Sequence, residues 1–194
     1  MRAIEHVDTE ARTVIVEPGV ILGVLNRFLR GYGLTFGPDP ASAERAAIGG
    51  VVANNATGAH SIVYGMTSDH VLELDAILAD GSMARFDALN GDTWAGRAKR
   101  PGLEGTIYRE VGSILERYQS AIASDTPATW RNVAGYNLRA LAGQDAPNMA
   151  RLLAGSEGTL AVITRATLNL VSLPKRRRLA LVHFSDVRAS LDAV

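Results

Sequence analysis

Between Phe36 and Tyr64 the chain gathers Gly37, Gly49, Gly50 and Gly58 with Asn54, Asn55, Thr57 and Ser61, and carries few charges. Glycine has no side chain to hold a ligand away, so a polyanionic pyrophosphate or a flat ring can approach the backbone N–H groups. Asn54 and Asn55 add amide donors and acceptors that suit a ribityl chain or the pyrimidine edge of a flavin. The same residue types also build a tight packing loop in which the glycines serve backbone geometry alone. Residue types by themselves leave both readings open.

Other chemistries find less support. Gly31-Tyr32-Gly33 has Phe36 where the dinucleotide fingerprint needs its third glycine, and it follows a helical pattern instead of opening one. No phosphate loop ends in Gly-Lys-Ser/Thr. Ala154-Gly155-Ser156-Glu157-Gly158 approaches the serine-hydrolase elbow, with Ala154 in the first glycine position and no base nearby. His6, His60, His70 and His183 are scattered without metal-ligand spacing. The absence of cysteine excludes disulfides, thiolate zinc sites, iron–sulfur ligation and cysteine nucleophiles within this sequence.

The elements that must position the loop follow from periodicity. Thr13–Val16 reads as a strand ending at Pro18-Gly19, and Ile21, Val24, Leu25, Phe28 and Leu29 recur at helical spacing until Gly31 and Gly33 stop them. Residues 37–65 read as mostly loop with one helical turn near Val51–Asn55. A loop of that length inside a compact domain is functional or disordered, and its apolar anchors Ile48, Val51, Val52, Ile62 and Val63 argue against disorder. Residues 71–78 form a strand with partial alternation that turns at Asp80-Gly81 into a return strand, Ser82–Phe86. Residues 87–101 read as irregular. Ile107, Val111, Ile114, Leu115 and Tyr118 mark an amphipathic helix. After mixed loop signals a short helix, Asn148–Leu153, leads to Gly155-Ser156-Glu157-Gly158, an apolar run Leu160–Ile163 and a strand Ala166–Val171. Pro174 and Lys175–Arg178 form a junction; beyond it Leu179–Phe184 reads as a new strand, with Ser185 capping a helix that takes in Val187, Leu191 and Val194. A chain that stops as a new strand–helix unit begins is expected to be part of something longer.

With 194 residues, 47% of them apolar, the chain can bury a substantial core. Lys+Arg and Asp+Glu balance at 20 each, so no overall field favours nucleic acid or an anionic membrane. No apolar run is long enough to span a bilayer, and the first residues lack the apolar centre of a signal peptide. A cytoplasmic protein, or one peripheral to the inner face of a membrane, is the expectation.

Several blocks carry a resemblance. Gly37-Pro38-Asp39-Pro40-Ala41-Ser42, the run Ala47 to Ser61, Tyr64-Gly65, Asp69–Leu74, Leu78–Ser82 and Gly155–Thr164 occur in the order found in FAD-linked oxidases of the D-lactate dehydrogenase and glycolate oxidase flavin-subunit type. The resemblance spans most of the chain. It implies an α+β fold: the second subdomain of a vanillyl-alcohol-oxidase (PCMH) type FAD-binding domain, a mixed or antiparallel sheet flanked by helices. It implies FAD as cofactor, with Pro38, Gly49, Gly50, Asn54 and Gly58 lining the flavin and pyrophosphate and Ser42 adding a hydroxyl. Glu157, Gly158 and Ile163 would touch the adenine-side or ribityl portion from the other segment. In the intact family a D-2-hydroxy acid (D-lactate, glycolate or a 2-hydroxyglutarate-like acid) passes a hydride to the flavin. The electrons then leave to a quinone, cytochrome or iron–sulfur partner, or to oxygen.

The chain also departs from the family pattern. The Arg-Gly-Gly-Gly-Thr-like loop of the family's N-terminal subdomain has no counterpart before Val14, and the substrate cap, with its carboxylate-binding arginines and catalytic base, would follow Pro174. Residues 1–174 are therefore expected to be a partial FAD-binding domain and 175–194 the first strand and helix of a substrate domain. The alternative is a non-catalytic remnant, or half of a split flavoprotein that does not bind FAD alone. A dehydratase or reductase acting on a nucleotide sugar is a third reading. Several single residues carry two readings: His60 faces the flavin or is a loop histidine bonded to backbone, Trp130 and Tyr136 line the ring or fill a core, and Arg45 pairs with phosphate or sits at the surface, the structural reading being preferred for the aromatic pair and for Arg45. His70 is read as a structural partner of Asp69 and Lys175–Arg178 as a solvated linker.

Overall fold

The computed structural model describes residues 1–127, 129–176 and 178–193. Arg177 of the basic run and Val194 of the expected last helix lie outside the described residues.

Five strands form an antiparallel sheet in the order β1-β2-β6-β4-β5, where β1 is Ile4–Asp8, β2 Thr13–Val16, β4 Val71–Ile77, β5 Met83–Phe86 and β6 Val162–Asn169. Alternation sets the buried face. Val14 and Val16 of β2 are fully buried and pair with the equally buried Leu168 and Ala166 of β6. In β4 the alternation is only partial because its register against β6 shifts between Val71 and Glu73 and again between Asp75 and Ala76. The Asp80-Gly81 turn forms as expected, with Gly81 at φ +81°. A second sheet pairs β3, Leu34–Thr35, with β7, Val171–Ser172.

Helix α1, Leu22–Leu29, packs into the core beside β3 through Leu22, Leu25 and Leu29, each fully buried. Each such side chain contributes about 1.5–3 kcal/mol by leaving water. A short 3-10 turn over Arg30–Tyr32 and the left-handed Gly33 end it. The stretch expected to be mostly loop holds two short helices, α2 Ile48–Ala53 and α3 Ser61–Tyr64, before α4, Thr67–His70. Ile48, Val51 and Val52 anchor α2 in the core.

Residues 87–101 are not irregular: α5, Gly91–Ala98, starts there on Asn90, whose side chain accepts the Thr93 N–H at 3.0 Å. The following helix, α6, runs from Gly102 to Arg117, and α7 covers Gln119–Asp125. A 3-10 turn at Leu138–Ala140 and α8, Ala150–Leu153, precede β6, which joins the end of the first apolar run, Val162–Ile163, to Ala166–Asn169 of the expected strand, whose last residue Val171 belongs to β7. Among the described residues 179–184 there is no strand; Leu179 and Leu181 are exposed, because no neighbouring strand offers them a partner. The last helix, α9, Val187–Asp192, is capped by Asp186 and not by Ser185: the Asp186 carboxylate accepts the Ala189 N–H at 2.9 Å. No helix among the described residues is long and apolar enough to cross a membrane.

Candidate functional site

The end of α2 is built as a Schellman turn. Asn55 N–H donates to Val52 O and Ala56 N–H to Val51 O, with Asn55 in the left-handed region at φ +49°. Asparagine tolerates that conformation better than other non-glycine residues, which gives the second asparagine of the pair a structural reason. Its side chain is buried, 3% exposed, and its Oδ1 accepts the Ser68 N–H at 2.8 Å. Asn54, one residue earlier, stays exposed.

Onto this turn the chain brings residues 155–158 from across the sequence. Gly155 N–H donates to Val52 O at 3.0 Å and Glu157 N–H to Ala53 O at 2.9 Å. The Asn54 amide Nδ2 then donates to Glu157 Oε1 at 2.7 Å, joining residues 103 apart. Glu157 and Gly158 both take positive φ, +53° and +73°. For glutamate that backbone costs about 1 kcal/mol. The two segments on which the family resemblance places cofactor contacts are therefore in direct contact.

The candidate residues divide by what their surroundings require. A Cβ on Gly58 would lie 2.0 Å from the Asp39 carbonyl oxygen, and one on Gly49 would lie 2.8 Å from Pro18 Cβ, so both glycines are demanded by packing. Gly50 is exposed, and a Cβ there would meet nothing within 4 Å; the same holds for Gly158. Pro38 is buried and Ser42 exposed. Ile163 sits opposite Ala76 in the sheet, half-buried against the core. Gly50, Asn54, Glu157 and Gly158 thus offer open backbone and neutral amide beside one carboxylate, a donor and acceptor set that fits a dinucleotide's ribityl, ribose and phosphate groups.

The histidines are held by the scaffold. His60 N–H donates to Asp39 Oδ1 at 2.9 Å, and its Nδ1 meets the other carboxylate oxygen, so its partner is a side chain in place of the backbone group expected. His70 is buried with Nε2 donating to Tyr64 O at 2.8 Å and Nδ1 facing the Asn169 amide at 3.3 Å. Its expected partner Asp69 instead accepts the Met66 N–H at 2.9 Å and lies 3.6 Å from Arg151.

A cavity of about 520 Å³ lies beside Asn55 and Gly155, walled by Trp130 and Tyr136 from residues 126–140. Those aromatic residues are not core: Trp130 is 59% exposed and Tyr136 50%. The Tyr136 hydroxyl meets Thr159 Oγ1 at 3.0 Å, tying this wall to the 155–159 turn. Two aromatic residues and several asparagines within a stretch without periodicity were the available signal.

Residues 1–87 match the family described as FAD binding domain. The chain is 36% identical over 193 residues to D-2-hydroxyglutarate dehydrogenase of Pantoea ananatis (strain AJ13355), covering 98% of this chain and 19% of that protein. It is 29% identical over 194 residues to glycolate oxidase subunit GlcD of Bacillus subtilis (strain 168), covering all of this chain and 31% of that subunit. A solved structure of alkyldihydroxyacetonephosphate synthase superposes with a TM-score of 0.54 at 19% identity, over 91% of this chain and 24% of that one, a likeness of fold. The chain thus spans roughly a fifth to a third of the length of these relatives. Residues 1–87 thus resemble an FAD binding domain, and the chain as a whole is similar to proteins named for D-2-hydroxyglutarate, glycolate and D-lactate.

Proposed function

We propose that the chain supplies part of the FAD cradle of an oxidoreductase acting on a D-2-hydroxy acid. The observation that carries this reading is the junction of Asn54 with Glu157, flanked by the open glycines Gly50 and Gly158. Residues 1–174 act as the cofactor-holding body and 175–194 as the junction to a substrate domain. Pro38, Gly49 and Gly58 shape the cradle, and Ser42 and Ile163 border it. Gly50, Asn54, Glu157 and Gly158 hold the cofactor.

When bound, FAD supplies a ring that takes the hydride from the α-carbon of the acid. The residues of this chain do the positioning. Glu157 accepts from Asn54 Nδ2 and so fixes which face of that amide is presented, leaving Oδ1 to accept from the ligand. The Gly50 backbone admits close approach, and the packed Gly58–Asp39 contact keeps the neighbouring loop rigid. The electrons pass on to a quinone, cytochrome or iron–sulfur acceptor, or to oxygen.

Titrating FAD with the full chain while following flavin emission tests the reading. A saturable change is expected, with Asn54→Ala weakening it about tenfold, equivalent to about 1.4 kcal/mol. Flavin emission that stays flat, or an affinity untouched by Asn54→Ala, defeats it.

A further inference from the structure

A second, smaller cavity of about 100 Å³ lies at the end of α1, lined by Asn26, Arg30, Gly37 and His60 and by Leu173 and Pro174 at the start of the junction. It shares no residue with the Asn54–Glu157 contact or its flanking glycines. Its size admits a group of a few atoms and excludes a nucleoside or a flavin ring. Three donors on its walls lack an acceptor among the described residues. Asn26 Oδ1 accepts the Phe36 N–H at 3.0 Å and the Thr35 hydroxyl at 3.1 Å, which fixes the amide and leaves Nδ2 without a partner. Arg30, four residues on and so on the same face of the helical turn, is exposed. Its neighbour Arg27 pairs with Glu44 at 2.6 Å, whereas the Arg30 guanidinium meets no carboxylate among the described residues. Gly37 is buried, and its N–H meets no acceptor there either. A Cβ at this position would come within 2.9 Å of the His70 ring, so the wall here must be bare backbone.

Orphaned buried N–H groups are rare, and one that shares a cavity with an unpaired cation calls for an acceptor from outside the chain. The remaining charges do not supply it. Both oxygens of the Asp39 carboxylate are engaged by His60, one through its backbone N–H and the other through Nδ1. The C-terminal end of α1 would repel an anion, but its last carbonyls are occupied: Asn26 O and Phe28 O accept the Arg30 N–H, and Arg30 O accepts the Gly33 N–H at 3.1 Å. One guanidinium with two neutral N–H donors, beside a carboxylate already in use, suits a planar monoanion better than a dianionic phosphate. We infer that this cavity binds the carboxylate of a small organic acid, with Arg30 and Asn26 Nδ2 donating to its oxygens and Gly37 N–H completing the set.

Sodium acetate is titrated into the full chain at constant ionic strength while heat and backbone amide shifts are recorded. A saturable response is expected, with the Gly37 amide proton among those that move. Arg30→Gln, at an exposed position, should cost about tenfold or more in affinity with the thermal midpoint unchanged. Asn26→Asp keeps the acceptor for Phe36 N–H, replaces the donor by a negative charge, and should abolish saturation. Arg27→Gln removes a likewise exposed arginine that does not line the cavity, and should leave the affinity as it was. An equal loss in Arg27→Gln reduces the effect to surface charge and overturns the site. Inorganic phosphate that moves the Gly37 amide at lower concentration than acetate overturns the carboxylate assignment. No saturable response to acetate at millimolar concentration, or one that Arg30→Gln leaves unchanged, overturns the site itself. None of these readouts involves FAD, so the flavin cradle can fail while this site stands, and the reverse.

Discussion

Residues 37–70 and residues 129–143 both carry glycines at turns, yet they are held in different ways. In the first region, backbone and side chains lock each other. Gly58 abuts the Asp39 carbonyl, His60 is fixed on the Asp39 carboxylate, and Thr67 Oγ1 donates to Ala56 O at 2.7 Å. Asn55 ties α2 to α4, and His70 joins Tyr64 to Asn169 in β6. In the second region Gly135 and Gly143 take positive φ with no atom within 4 Å of a Cβ, and Asn132 closes a local turn onto Ala134 N–H. A glycine-rich stretch therefore has two physical meanings. Where a neighbour forces the glycine, it belongs to the scaffold; where space is open, it leaves a surface to be filled.

The largest test of that difference is Gly58→Ala. The added methyl would overlap the Asp39 backbone, which cannot move without carrying the His60 contact with it. A loss of about 3 kcal/mol or more in urea unfolding is expected. Gly135→Ala adds a Cβ into open space at φ +72°, so only the left-handed conformation costs, about 1 kcal/mol. Equal losses at the two positions would break the comparison. A smaller effect is expected at the asparagines. Asn55→Ala strands the buried Ser68 N–H and should cost about 1–3 kcal/mol, while Asn132→Ala in the second region should stay within about 0.5 kcal/mol. Equilibrium denaturation of the two variants side by side checks the ordering.

The sequence showed the scaffold more clearly than the site, for physical reasons. Val14, Val16, Ala166 and Leu168 alternate because one face of the sheet is buried, and Asp80-Gly81 turns because glycine accepts positive φ; both are local rules. Strand β1 escaped because Ile4–Asp8 lies at a sheet edge with much of its surface exposed and has no strict alternation. Helix α5 escaped because its start depends on the Asn90 cap more than on an apolar stripe. Leu179–Phe184 has the composition of a strand, but a strand needs a partner, and none lies beside it among the described residues. At the site, the glycines and asparagines were visible as types. Which were open was not, because Gly49 and Gly58 owe their identity to Pro18 and Asp39, contacts that no periodicity announces. Asn54 and Glu157 likewise meet only through folding. Trp130 and Tyr136 could line a ring or fill a core, and the core reading fails because an aromatic residue on a wall and one in a core look the same in sequence.

The smallest effect on stability is the most discriminating. Gly50 lies within α2, exposed, and a Cβ added there would have nothing within 4 Å, so Gly50→Ala adds helix propensity without a clash. The substitution should stabilise the fold by about 0.5–1 kcal/mol. The same methyl would stand where the proposed cofactor approaches the backbone, so FAD affinity should fall by at least about tenfold. Stability rising while affinity falls would separate an open glycine of the cradle from a packed one such as Gly58, whose replacement lowers both. If Gly50→Ala stabilises the chain and leaves FAD binding unchanged, the cofactor does not approach α2 there, and the cradle must be sought on the Glu157–Gly158 side of the junction.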